Sequence, residues 1–303
     1  MFGGLPNPAV SPTSGPQKGC RVPSLNATQL DVFAQQGYLL LEELLPEDAI
    51  EPLIAEIEAG IERGARESLE GGKIQQTFDG ETLGRRYALI EIESGGASKA
   101  GRHVLGKNLK TAGTFGLMSH PALLDLVESV IGSEILSHPQ FNVQAKMPGE
   151  KNSKVPWHQD KGYLDSEAEE TPMVNFWIPL VDTTKENGCL EVIPGSHKRG
   201  LKPHGGPGQV GKPAIADENL PPGPIVACPI SRGGAIAFHP KLVHRSRPNR
   251  SQEIRWSFDI RYSDAELPSG RDDVPGFLVR STKRRAEVAR SHLDWLKLME
   301  VTK

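Results

Sequence analysis

Cysteine is scarce in this 303-residue chain, and its spacing builds nothing. Cys20, Cys189 and Cys228 include no C-x-x-C pair, which excludes a thiolate zinc site, and an odd, scattered set supports no disulfide framework. A reducing, cytoplasmic compartment is the expectation. Long apolar runs are also missing. The opening stretch MFGGLPNPAVSPTSGPQKGC has no basic segment followed by an apolar one, so neither a signal peptide nor a membrane span is expected. Charge excess is absent: 35 Lys and Arg face 38 Asp and Glu, which argues against nucleic acid as a partner. No G-x-G-x-x-G follows a strand-like run and no Walker A motif occurs, so nucleotide-binding α/β folds have no support. No internal repeat is visible.

Glycine (32) and proline (25) are plentiful, as in chains rich in turns and loops. Residues 1–24 read as a mobile tail. Order is expected from Leu25, with a helix capped by Thr28 and ended by Gly37, then the strand-like run YLLLEELL. Pro46 and two acidic residues open a helix whose apolar face is Ile50, Leu53, Ile54, Ile57 and Ile61. Gly71 to Gly101 is polar and shows no period. A helix opened by Ser119 and Pro121 closes at Gly132. From Ile135 the pattern changes to short β-branched or alternating runs, as in sandwiches and barrels. Lys198 to Pro224 reads as a long loop. Together with 71–101 it is expected to form the substrate entrance. STKRRAEVARSHLDWLKLM reads as a closing helix. The fold class is therefore α+β, mainly β, with helices segregated from the sheet.

The chemistry centres on Trp157-His158-Gln159-Asp160. On a strand, His158 and Asp160 would project from one face. An imidazole and a carboxylate there, joined by one more histidine, make the facial triad that leaves three metal positions open. Alone, H-x-D is more often a surface hydrogen-bonding pair. The further histidine could be His197, His204, His239 or His244; the first two lie in turn- and glycine-rich sequence, poor ground for a rigid ligand. In EIRWSFDIRYS, Ile254, Trp256, Phe258 and Ile260 form an apolar face. Arg255, Ser257, Asp259 and Arg261 form a polar one, facing either solvent or a polar cavity. Arg255 offers a fork for a carboxylate, and Arg261 is expected to pair with Asp259. Lys146 and Asn175 are further candidates for contacting a co-substrate, and Gln144 a candidate to line the site.

Several features then stand in order: WHQD at 157–160, NFWIPLVD at 175–182, NGCLEVIPGSH at 187–197, GGAIAFH at 233–239, and H-R-S at 244–246 with Arg255 eleven positions after His244. This set resembles the phytanoyl-CoA dioxygenase family of iron(II)/2-oxoglutarate oxygenases. The resemblance implies a double-stranded β-helix (jelly-roll) core at about 135–263, inside one domain spanning 25–303, with flanking N-terminal helices and a C-terminal helix. It implies His158, Asp160 and His244 as iron ligands, and Arg255 helped by Ser246 as anchor for the distal carboxylate of 2-oxoglutarate. The implied cofactors are iron(II), 2-oxoglutarate and dioxygen, with ascorbate as the reductant in vitro. The implied reaction hydroxylates a small-molecule metabolite and releases succinate and carbon dioxide. The chain is expected to act as a monomer or homodimer. The competing readings are a cupin-like metal enzyme that does not use 2-oxoglutarate, which would have no need of Arg255 and Ser246, and a silent binding domain of the same fold.

Overall fold

A computed structural model of the chain describes residues 24–149, 154–209, 212–271 and 274–301. The expected N-terminal tail lies outside the described residues except for Ser24, and so does Cys20. The helical part comprises α1 (Ala27–Gln36), α2 (Glu47–Glu70), α3 (Leu83–Glu93), α4 (Ala100–Val104), α5 (Ala112–Met118) and α6 (Pro121–Ile131), interrupted by β1 (Tyr38–Leu41). Then come β2 (Ile135–Ser137), β3 (Asn142–Lys146), β4 (Val155–His158), β5 (Met173–Pro179) and β6 (Leu190–Val192). They are followed by β7 (His204–Gln209), β8 (Lys212–Ile215), β9 (Val226–Cys228), β10 (Ala235–Phe238) and β11 (His244–Ser246). The chain ends on β12 (Arg255–Asp264), β13 (Phe277–Arg280) and α7 (His292–Val301).

Two antiparallel sheets face one another as a double-stranded β-helix. The major sheet runs β1-β10-β5-β12-β2-β13, with β3 also paired to β12; the minor sheet runs β4-β11-β6-β9. β12 shows why the layers form. Trp256, Phe258, Ile260 and Tyr262 are buried in one cluster with Ile50, Leu53 and Ile57 of α2 and Leu123 of α6. Its odd-numbered residues point the other way, toward the minor sheet, so strict alternation divides a helix-packed face from a cavity face. Burying such side chains contributes roughly 1.5–3 kcal/mol each. Between the sheets a second cluster holds Tyr38, Leu40, Trp177, Leu190, Val192, Ile236 and Phe238. Gly60 and Gly64 let α2 approach α4, because a Cβ at Gly64 would collide with the backbone of Ala100 and one at Gly60 with Val104.

Several local expectations change. Asn26, not Thr28, caps α1, in a reciprocal capping box with Gln29, while Gly37 does end it in a left-handed conformation. His120 is the cap of α6, since Ser119 belongs to the end of α5, where its hydroxyl bonds the Phe115 carbonyl at 2.8 Å. The stretch 71–101 contains α3, whose buried Tyr87, Ala88 and Ile90 dock it. The loop 198–224 contains the β7–β8 hairpin. The closing helix begins only at His292. No helix of the described residues is long and apolar enough to cross a membrane.

Candidate metal and co-substrate site

β11 lies between β4 and β6, and the register sets His244 directly opposite His158. Their rings sit 4.1 Å apart, centroid to centroid. Each Nδ1 lies against a carbonyl two residues back: Pro156 O at 2.9 Å for His158 and Leu242 O at 3.0 Å for His244. A carbonyl only accepts, so Nδ1 carries the proton and the Nε2 lone pair is free to ligate. Asp160 is not on the strand, as i, i+2 alternation had suggested. β4 ends at His158, and Asp160 opens a 3-10 turn that swings its carboxylate back beneath the imidazoles. One ligand atom from each of His158, Asp160 and His244 lies within 4.8 Å of the others, and all three residues are buried. Among the described residues this is the one such cluster of three or more His, Cys, Asp or Glu side chains.

Asp160 is held on both oxygens. Arg261 Nη2 meets Oδ1 at 2.9 Å and Asn175 Nδ2 donates to Oδ2 at 2.7 Å. Burial by itself would raise its pKa, but the Arg261 charge, the His158 contact and the neighbouring imidazoles outweigh that and hold the carboxyl well below the usual range. Arg261 therefore pairs with Asp160 rather than with Asp259, and its other nitrogen donates to Gln140. Asp259 instead accepts from Gln144. Burial, then the nearby His158, lowers His244 to about 4, so its imidazole is neutral at physiological pH, as a metal ligand must be. Gln159, which sequence reasoning left aside, is fully buried. It ties the ligand loop down by donating to the carbonyls of Gly200 and Lys241 and accepting from the Lys202 amide.

A cavity of about 420 Å³ opens beside the triad. Arg255 lines it, 1% exposed, with Nη1 donating to Ser257 Oγ at 2.8 Å and the guanidinium 4.8 Å from the Trp177 ring centroid. Burial lowers its pKa to about 10, with Asp259 offsetting part of the effect, so it remains cationic at neutral pH. Arg255 Nε and Ser246 Oγ are buried and have no hydrogen-bond partner among the described residues. Buried polar atoms normally have partners; two donors left open in one cavity, Ser246 from the minor sheet and Arg255 from the major one, fit an absent carboxylate. Lys146 does not line this cavity. It is the cross-strand partner of Arg255, but its ammonium bonds the Arg247 carbonyl at 2.8 Å. Asn175 lines the cavity, yet its amide is directed at Asp160 rather than at a co-substrate. Among the described residues, none of 71–101 or 198–224 is in the cavity lining. The lining does include Gly106, Lys107, Gln140 and Arg271.

A family model described as phytanoyl-CoA dioxygenase (PhyH) matches residues 33–257. This chain belongs to the phytanoyl-CoA dioxygenase family. Within that family, the peroxisomal phytanoyl-CoA dioxygenase of Rattus norvegicus is 28% identical over 247 residues, covering 80% of this chain and 69% of that protein. The phytanoyl-CoA dioxygenase of Arabidopsis thaliana is 26% identical over 269 residues, covering 80% and 90%. The peroxisomal enzyme of Homo sapiens is 32% identical over 154 residues, covering 48% of this chain and only 44% of the human one. Among solved structures, the non-heme monooxygenase ThoJ in its apo form superposes with a TM-score of 0.60 at 22% identity, covering 89% of this chain and 91% of that one. The epimerase SnoN, solved with Fe3+, alpha ketoglutarate and nogalamycin RO, gives 0.53 at 24% identity, covering 80% and 85%. These two similarities place the fold of the family member described here.

Proposed function

We propose that this chain is an iron(II)- and 2-oxoglutarate-dependent dioxygenase that hydroxylates a small-molecule metabolite, releasing succinate and carbon dioxide. The observation that carries the reading is the pairing of a His-Asp-His cluster with two unpartnered buried donors, Ser246 Oγ and Arg255 Nε, on the same cavity. The two imidazoles and the carboxylate form the nitrogen- and oxygen-donor set of a facial triad, which suits iron(II) with positions left open. Bound there, the metal supplies the oxidising chemistry with dioxygen.

The residues of the chain do the rest. His158 and His244 present fixed Nε2 lone pairs, because their Nδ1 protons are tied to carbonyls. Asp160 brings one negative charge, kept ionised by Arg261. Arg255 and Ser246 orient the co-substrate by its distal carboxylate, a charge-assisted contact in a site shielded from water. Trp177 and Phe238 line the cavity and offer apolar surface to substrate. The test is succinate release from 2-oxoglutarate with iron(II) and ascorbate, screened for stimulation across candidate metabolites. Turnover of a substrate that needs iron but no 2-oxoglutarate would replace this reading with that of a metal enzyme of another class.

A further inference from the structure

We propose that Asn175 holds Asp160 to a single ligating oxygen and thereby keeps a third metal position open beside the two that a chelating keto acid takes up. The inference rests on the oxygenase reading above. Asn175 on β5 and Arg261 on β12 are direct cross-strand partners, and both reach the same carboxylate. An ionised carboxylate only accepts hydrogen bonds, so the amide must turn its NH2 toward Oδ2. That fixes the orientation of the amide and leaves its own Oδ1 buried without a partner among the described residues. Asn175 is 1% exposed, so water has little access to compete for Oδ2. The other oxygen, Asp160 Oδ1, is the one that faces His158 Nε2, at 3.6 Å.

A carboxylate can take up one metal position or two. Two imidazoles and a chelating carboxylate fill four octahedral positions and leave two, enough for a chelating keto acid but not for dioxygen as well. With Oδ2 engaged by Asn175, the protein fills three and leaves three. Arg261 meets the other oxygen, Oδ1, the one that faces His158 Nε2, and supplies charge there. Asn175 is therefore a positioning residue, acting on the coordination number through Asp160.

The test uses the full chain loaded with nickel(II), which prevents turnover. In Asn175→Leu, which keeps the volume and removes the donor, nickel(II) should still bind, while a crystal structure of that complex should show Asp160 chelating the metal through both oxygens. Asp160 still bound through one oxygen in that variant overturns the proposal. Should the leucine variant fail to fold, a crystal structure of the wild-type nickel complex decides: Asp160 bound through one oxygen with the Asn175 amide on the other supports it, and a chelating Asp160 overturns it. A wild-type chain that binds neither nickel(II) nor 2-oxoglutarate overturns the oxygenase reading itself, a result separable from the first.

Discussion

Arg261 and Asp160 form a buried ion pair at 2.9 Å that joins the two halves of the sandwich. The arginine stands on β12 of the major sheet, and the aspartate follows β4 of the minor one. In Arg261→Gln the carboxylate stays buried with its cation removed, and breaking such a pair costs about 3–5 kcal/mol. The expected outcome is a metal-free protein that unfolds at markedly lower denaturant, with much of the loss restored by nickel(II). Unfolding curves with and without metal check it.

His158→Ala and His244→Ala should each abolish metal binding, since two remaining ligands hold a labile divalent ion poorly. Equilibrium dialysis with nickel(II) or iron(II) measures this. Retained stoichiometric binding in either variant would refute the ligand assignment.

Arg255→Ala should weaken 2-oxoglutarate binding by about 2–5 kcal/mol, because the co-substrate carboxylate would be left buried without its partner. Metal affinity should remain at the wild-type level. Calorimetry on the nickel-loaded variant separates the two effects.

Acid should destabilise the fold through His138. This residue is fully buried, its Nε2 donates to the Ser269 carbonyl at 3.0 Å, and its Nδ1 accepts from the Gln140 amide at 3.2 Å. Burial is the main cause that lowers its pKa from 6.5 to about 3. Above pH 6.5 neither the folded nor the unfolded chain protonates it. Below that, the unfolded chain binds the proton first, so stability falls as pH drops toward 3, by about 3 kcal/mol at pH 4 from this residue alone. His239, lowered to about 4 by burial, acts in the same direction. Urea midpoints at pH 7 and pH 4 should diverge less in His138→Asn than in wild type; equal divergence would remove His138 as the cause.

Gly64→Val should destabilise the helical layer by about 3 kcal/mol, the upper end for overpacking, because the new side chain meets the Ala100 backbone rather than a movable side-chain tip. Thermal unfolding checks it.

The legible part of the structure was the part governed by short-range pattern. Alternation in 254–261 announced a two-faced strand, and its polar face does line the cavity through Arg255, Asp259 and Arg261. The spacing of Ile50, Leu53, Ile54, Ile57 and Ile61 announced α2. Other signals were present but masked by composition. Tyr87, Ala88 and Ile90 carry helical spacing inside a glycine-rich stretch, and HGGPGQ holds a strand although it lacks the β-branched residues that normally mark one. The contacts of Asp160 were not legible at all. Arg261 and Asn175 meet it only because β12 and β5 are adjacent in the major sheet, and no local pattern records which strands become neighbours.

The register between β4 and β11 has one more consequence. His244 and Ser246 project from the same face of one three-residue strand, His244 opposite His158 and Ser246 opposite Val155. Sliding that strand by a single residue would turn both outward together and bring Arg245 in. A one-residue insertion between Leu242 and His244 therefore strikes the metal and the co-substrate contacts in the same event, while leaving most of the apolar core untouched. Such a change would yield a well-folded chain with no partial activity, a discontinuous failure that graded side-chain substitutions do not produce.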